Sequence, residues 1–194
     1  MLTGPSEFVL RQSLDVHLKW TEKYPDSVVA RVSVNVSAIQ FRQKNFVETI
    51  EQAVKEIGND PKVLTLELTE SMLIGNMSET VEKMQQLKQL GVRFSIDDFG
   101  TGYSSLAYLK RLPISEIKID RSFVQDILTD PNDAALVNTI LNLAKQLQLE
   151  VVAEGVESRE IRDALIRYGC TVFQGYHFSR PIPAEQFEKA FLAN

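Results

Sequence analysis

Val92-Arg93-Phe94-Ser95-Ile96-Asp97-Asp98-Phe99-Gly100-Thr101-Gly102 is an apolar run that ends in two adjacent carboxylates and a glycine-punctuated loop. A run this short, framed by glycines and rich in Val, Ile and Phe, reads as a buried strand. Two neighbouring carboxylates at its end need a cation or strong donors if both are to stay ionised away from water. An aspartate pair in a turn or at a helix start is also ordinary solvated chemistry. The choice between these depends on what the rest of the chain sets beside it.

The whole chain repeats the design. Six apolar runs stand out, Arg31–Val36, Val63–Leu68, Val92–Ile96, Ile114–Ile119, Glu150–Ala153 and Thr171–Phe173. Besides the aspartate pair, they deliver Asn35-Val36-Ser37, Glu67-Leu68-Thr69-Glu70, Lys118-Ile119-Asp120, Glu154-Gly155-Val156-Glu157 and Gln174-Gly175-Tyr176 at their ends. They recur roughly 20 to 35 residues apart, one strand–helix unit each. Between them lie stripes of helical period. These are Phe46/Ile50/Val54/Ile57, then Val81/Met84/Leu87/Leu90 closed by Gly91, then Val137/Ile140/Leu141/Ala144/Leu147 opened by Asp130-Pro131. The last is Ile161/Ala164/Leu165/Tyr168, with Ser158 as N-cap and Gly169 after its end. Further helices are expected over Glu7–Trp20 and after Pro183.

Strand–helix alternation predicts a parallel α/β fold. Polar groups at the C-terminal ends of successive strands converge on one mouth in a closed barrel and would spread along an edge in an open sheet. The expectation is a TIM-like (β/α) barrel formed as one domain over residues 1–194. An eight-unit barrel takes about 250 residues. A 194-residue chain with six strands is therefore expected to be an incomplete barrel, short of two units.

Composition narrows the function. Hydrophobic residues at 44% and charged residues at 24% place the chain among core-forming proteins and outside the disordered class. Twenty-six acidic against 21 basic side chains give a net charge of -5. Such a balance excludes bulk attraction to a nucleic-acid polymer or an anionic membrane, so any phosphate ligand must be met by local cations. The single cysteine, Cys170, rules out an internal disulfide and suits a reducing compartment. No apolar run approaches a membrane span, and the opening Met1-Leu2-Thr3-Gly4-Pro5 lacks a secretory pattern. A cytoplasmic domain is expected.

Asn35, Glu67, Asp97 and Asp98 offer hard oxygen donors, which suit Mg²⁺ or Mn²⁺ better than Zn²⁺. Lys118, inside an apolar run, must find an anion or snorkel out. It could hold a phosphate, orient water, or pair with Asp120. Glu154 at a dry strand end is a candidate general base, whereas Glu157 suits the start of the following helix. Glu70 either ties down a neighbouring loop or begins a helix. Gln174 is a weak candidate for a neutral ligand or base contact. His17 and His177 are isolated, Cys170 reads as a buried thiol and Trp20 as helix-end core. Together these groups point to metal-assisted hydrolysis of a phosphate ester.

At these residues the sequence resembles an EAL domain, the bacterial cyclic-di-GMP phosphodiesterase family. The resemblance runs in order through Asn35-Val36-Ser37 with Gln40, Glu67-Leu68-Thr69-Glu70, and Asp97-Asp98-Phe99-Gly100-Thr101-Gly102-Tyr103-Ser104-Ser105-Leu106. It continues through Lys118-Ile119-Asp120, Ala153-Glu154-Gly155-Val156-Glu157 and Gln174-Gly175-Tyr176. It implies a modified (β/α)₈ barrel that hydrolyses cyclic di-GMP to the linear dinucleotide pGpG with two Mg²⁺ or Mn²⁺ ions. By the same resemblance Asn35, Glu67 and Asp97 hold the first metal and Asp97 and Asp98 serve the second. Lys118 and Glu154 are implied as catalytic, and Gln40 as a substrate contact. Glu70 is implied to anchor the loop Asp98–Ser105, with Asp120, Glu157 and Gln174 as supporting positions. A homodimer and linked sensor or diguanylate-cyclase (GGDEF) domains are the implied partners. The family's Glu-Ala-Leu motif and following arginine do not occur upstream of the first helix. The expectation is thus an N-terminally truncated domain. The alternatives are a catalytically degenerate domain that binds cyclic di-GMP or a protein partner, and a dimerisation module.

Overall fold

The structure, a computed structural model, describes residues 5–25, 31–58, 60–73, 77–102 and 109–193. These fall into two compact units, one of residues 5–25, 31–58, 60–68, 77–94 and 181–193, the other of 69–73, 95–102 and 109–180. The expected loop stretch from Tyr103 to Leu106 lies outside the described residues.

In the first unit α1 (Pro5–Lys23) packs on β1 (Val32–Asn35) and on α3 (Phe46–Ile57). The short α2 (Ala38–Phe41) follows β1 through a capping box. The Ser37 hydroxyl accepts from the Gln40 amide while the Gln40 side-chain oxygen accepts from the Ser37 amide at 2.8 Å. α3 buries Phe46, Ile50 and Val54 and stops at Gly58, whose φ of 77° is left-handed. A 3₁₀ turn, Pro61–Val63, leads into β2 (Leu64–Thr69), which pairs in parallel with β1 so that Asn35 lies beside Glu67. α4 (Met77–Leu90) packs on α3. Lys83 of α4 donates to the carbonyl oxygens of Phe41 and Gln43 at 3.1 and 3.2 Å, tying down the end of α2. The C-terminal α8 (Ala184–Phe187) continues as a π turn over Glu188–Leu192.

The second unit orders β3, β4, β5 and β6 as they occur in the chain, all parallel. β3 spans Arg93–Phe99, β4 Glu116–Ile119, β5 Glu150–Ala153 and β6 Val172–Phe173. Ile117, Lys118 and Ile119 are all buried, as in parallel strands covered on both faces. The crossover between β4 and β5 runs through α5 (Arg121–Gln125) and α6 (Pro131–Leu147). α6 begins as its sequence predicts. The Asp130 carboxylate accepts from the Asn132 amide at 2.7 Å and Pro131 takes the first turn. α7 (Arg159–Arg167) is capped by Ser158, which accepts from the Ile161 amide at 3.2 Å, and it buries Ile161, Ala164 and Leu165. Among the described residues, no helix is long and apolar enough to cross a membrane.

A carboxylate cluster at the strand ends

The cluster is built by strand register. Ser95 pairs with Glu116, Glu116 with Glu150 and Lys118 with Val152, and side chains of one parity share a face. Ser95, Asp97, Lys118, Asp120, Val152 and Glu154 therefore belong to one side of the sheet. Asp98 would ordinarily point to the other. Between Ile96 and Phe99, however, β3 holds one residue more than β4, whose partners are Ile117 and Ile119. This is a β-bulge, and Asp98 takes it up with a left-handed φ of 53°. Aspartate is among the few non-glycine residues that tolerate this region. The bulge turns Asp98 back, so that carboxylate oxygens of Asp97, Asp98 and Glu154 all lie within 4.8 Å of one another.

Lys118 is 4% exposed, and its ammonium lies 2.6 Å from Glu154 Oε1 and 3.2 Å from Asp97 Oδ1. The Lys118 ammonium thus meets two of the three half-buried carboxyl groups of the cluster. Burial, and then the charges of Asp97 and Asp120, push the Asp98 carboxyl above its ordinary range. Burial also pushes Asp120 up, but hydrogen bonds from the Ser122 hydroxyl and amide outweigh it and hold Asp120 below the usual carboxylate range. The side-chain hydrogen bond between Asp98 and Asp120 acts in the same two directions, raising the donor and lowering the acceptor. An all-oxygen donor set with an excess of negative charge fits a hard divalent cation.

The surrounding backbone fixes these groups. The Glu154 amide donates to the Ile119 carbonyl at 3.2 Å, and the Gln174 amide to the Ala153 carbonyl at 2.9 Å. Gln174 is exposed, and its carbonyl receives the Val156 amide at 3.0 Å. Glu157 accepts from the Gln125 side chain at 3.3 Å. Glu70, 3% exposed, accepts from the amides of Gly100 and Gly102 at 3.2 Å each, so it does reach the loop that follows β3. A Cβ on Gly102 would come within 2.8 Å of the Glu70 carboxyl, the end of a flexible side chain.

Asp97, Asp98, Lys118, Asp120 and Glu154 thus come together in the second unit. Asn35 and Glu67 are brought together in the first, as register partners at the ends of β1 and β2, with Glu67 7% exposed and Asn35 exposed. Gln40 is engaged in the cap of α2. Lys118 meets Asp97 and Glu154, an arrangement the sequence reading left open. His17 is buried, and Cys170 lies against the Val151 and Val172 carbonyls. Trp20 stacks on Phe187 with ring centres 5.1 Å apart. Sequence reasoning missed the structural weight of Gly155 and Gly175, whose only signal was their place directly after polar strand ends.

Residues 2–181 match the family model for the EAL domain. Among curated proteins, the chain is 46% identical over 155 residues to the bifunctional diguanylate cyclase/cyclic di-GMP phosphodiesterase MucR of Pseudomonas aeruginosa, covering 80% of this chain. It is 43% identical over 197 residues to the cyclic di-GMP phosphodiesterase NbdA of the same organism, covering all of this chain. The chain spans 23% of the first and 24% of the second. Among solved structures, the PaMucR phosphodiesterase in complex with c-di-GMP superposes with a TM-score of 0.87 at 42% identity, over 93% of this chain and 72% of that one. The manganese/cy-diGMP complex of Klebsiella pneumoniae BlrP1 superposes with a TM-score of 0.77 at 28% identity, over 90% of this chain and 45% of that one. The six parallel strands with their helices are those of the EAL-type barrel, present in part. The chain belongs to the EAL domain family.

Proposed function

We propose that residues 1–194 form the hydrolytic part of a cyclic-di-GMP phosphodiesterase, which opens the cyclic dinucleotide to linear pGpG. The observation that carries this reading is the cluster of Asp97, Asp98 and Glu154 around the Lys118 ammonium. Asp97 and Asp98 would hold Mg²⁺ or Mn²⁺ in the second unit, and Asn35 and Glu67, register partners in the first, are candidate ligands of the same hard-oxygen kind. The bound cation supplies Lewis-acid polarisation of a phosphoryl oxygen and acidifies water.

The protein's own groups divide the remaining work. Glu154 Oε1 accepts a proton from the attacking water, and its contact with Lys118 orients it. The Lys118 ammonium offers a fixed positive charge to the phosphodiester, where its burial strengthens the attraction. Asp120 caps α5 beside Asp98 as a supporting group, Glu70 holds the loop after β3, and Glu157 and Gln174 fix the ends of β5 and β6. Gln40 is the candidate substrate contact from the first unit. The relatives' greater length supports attachment to other signalling domains, diguanylate cyclase among them. A homodimer and a cytoplasmic location complete the reading, the latter supported by a lone buried cysteine.

The test is formation of pGpG from cyclic di-GMP in Mn²⁺ and in Mg²⁺, with Asp97→Ala as the comparison. Turnover by the unaltered chain, lost in Asp97→Ala, is expected. Binding without turnover would favour the degenerate, ligand-sensing alternative.

A further inference from the structure

Gly155 directly follows Glu154 and has a φ of +67°, in the left-handed region. A Cβ built there would lie 2.5 Å from Cβ and 3.2 Å from Cα of Arg121. Neither of those atoms can swing aside, since both are fixed by the backbone of the first residue of α5. Other glycines lack this combination. Gly58 and Gly169 are left-handed with nothing within 4 Å, and Gly102 faces only the end of a flexible side chain.

Arg121 follows Asp120, the N-cap of α5 and the hydrogen-bond partner of Asp98. Residue 155 thus rests against the peptide that carries Asp120. On its other side, the segment is closed by Gly175, where a Cβ would come within 2.1 Å of the Val156 oxygen. The Val156 amide donates to Gln174 and its carbonyl accepts from His177, both at 3.0 Å. Residues 154–156 are therefore held between the ends of β4 and β6 with no slack on either side. A side chain at 155 must push the segment off Arg121, and the displacement falls on the adjoining Glu154.

We infer that Gly155 is a positioning residue that sets the distance of Glu154 from Lys118 and from the β3 carboxylates through its contact with the Arg121 backbone. This rests on the reading that the cluster holds a divalent cation. Groups that orient ligands from outside the coordination sphere typically govern about 10- to 100-fold in metal affinity, and Gly155 is expected to fall in that range.

Mn²⁺ affinity measured by calorimetry on the 194-residue chain tests it. Gly155→Ala should bind Mn²⁺ at least about tenfold more weakly. Adding Arg121→Gly, which removes the Cβ that is struck, should restore most of the loss, whereas Arg121→Ala keeps that atom and should not. Gly169→Ala carries the left-handed conformation without a neighbour and should leave affinity unchanged. Unaltered affinity in Gly155→Ala, equal rescue by Arg121→Ala, or equal weakening in Gly169→Ala overturns the inference. If Gly155→Ala does not fold, the Arg121→Gly double variant must fold and bind. Its failure to do so beside a folded Gly169→Ala is equally fatal. No Mn²⁺ heat from the unaltered chain sinks the cation reading instead, and a metal-free measurement then decides. The melting-temperature loss caused by Lys118→Met should be smaller in the Gly155→Ala background, where the ion pair is already loosened, and equal losses overturn the inference.

Discussion

Lys118 Nζ sits 2.6 Å from Glu154 Oε1, joining the third residue of β4 to the first residue beyond β5, with side chains only 5% and 15% exposed. A buried ammonium flanked by carboxylates is costly to leave half-made, because removing one partner strands the other's charge. Lys118→Met should therefore destabilise the metal-free protein by about 3–5 kcal/mol, the usual cost of breaking a buried pair. A divalent cation would neutralise the same carboxylates and bind only the folded state, so Mn²⁺ should recover part of the loss. Thermal melts of both proteins with and without Mn²⁺ check this. An unchanged melting temperature in the variant would show that the ion pair is not structural.

Asp98 allows conformation and charge to be separated. Its φ of 53° is tolerated by aspartate and asparagine and is an outlier for β-branched residues. Asp98→Asn should leave stability nearly unchanged in the absence of metal yet weaken Mn²⁺ binding. Asp98→Val should cost on the order of 1–2 kcal/mol in chemical denaturation, the penalty for a left-handed L-residue. Equal stabilities for the two variants would mean that the bulge between Ile96 and Phe99 relaxes without cost.

That bulge also marks where sequence reading ran out. The strand over Glu150–Ala153 was legible residue by residue because a short apolar run there stops at Glu154-Gly155. The caps at Asp130-Pro131 and Ser158 were legible because a side chain bonding its own backbone is a local event. The carboxylates at 97, 98 and 154 could be placed at strand ends. Two side chains adjacent in a strand, though, face opposite ways until a partner strand imposes the extra residue, and that is a tertiary fact. α2 and α5 are too short to show a periodic stripe, although Ser37 and Gln40 carry the spacing of a capping box. The end of α6 carries no glycine signal, and there Gln148 takes the left-handed position with φ 57° that glycine fills after α3, α4 and α7. The closeness of Gly155 to the Arg121 backbone, which leaves no room for a Cβ, has no one-dimensional trace.

Cys170 gives a pH-dependent prediction away from the cluster. Burial pushes its thiol above the ordinary range, and hydrogen bonds to backbone groups around Val172 offset that only in part. The folded state thus favours the protonated thiol. Its contribution to stability is complete below the ordinary thiol pKa and is lost as pH rises through the elevated value. Thiol labelling at mildly alkaline pH should be slow in the native protein and fast in denaturant. Native labelling as fast as that of the unfolded chain would contradict the burial of Cys170.

Trp20, the single tryptophan, reports on the C-terminal segment of the first unit. Its ring stacks on Phe187, and its indole N–H donates to Glu188 Oε2 at 3.3 Å. Glu188 also accepts from the Lys23 ammonium at 2.6 Å and the Tyr24 hydroxyl at 2.9 Å. The Lys23 hydrogen bond, followed by that from Tyr24, holds the Glu188 carboxyl below the usual glutamate range. The sign follows from that depression. The stabilisation is present above the unfolded glutamate pKa and is lost as pH falls through the lowered, folded value. Acidification should therefore change Trp20 fluorescence at a pH below the ordinary glutamate range, as α8 and the π turn after it detach from α1. Lys23→Gln removes the main cause of the depression and should move that transition to higher pH, whereas Lys19→Gln, whose lysine pairs with Asp15 instead, should not move it. Identical transitions in the two variants would show that the Glu188 contacts do not hold the segment in place.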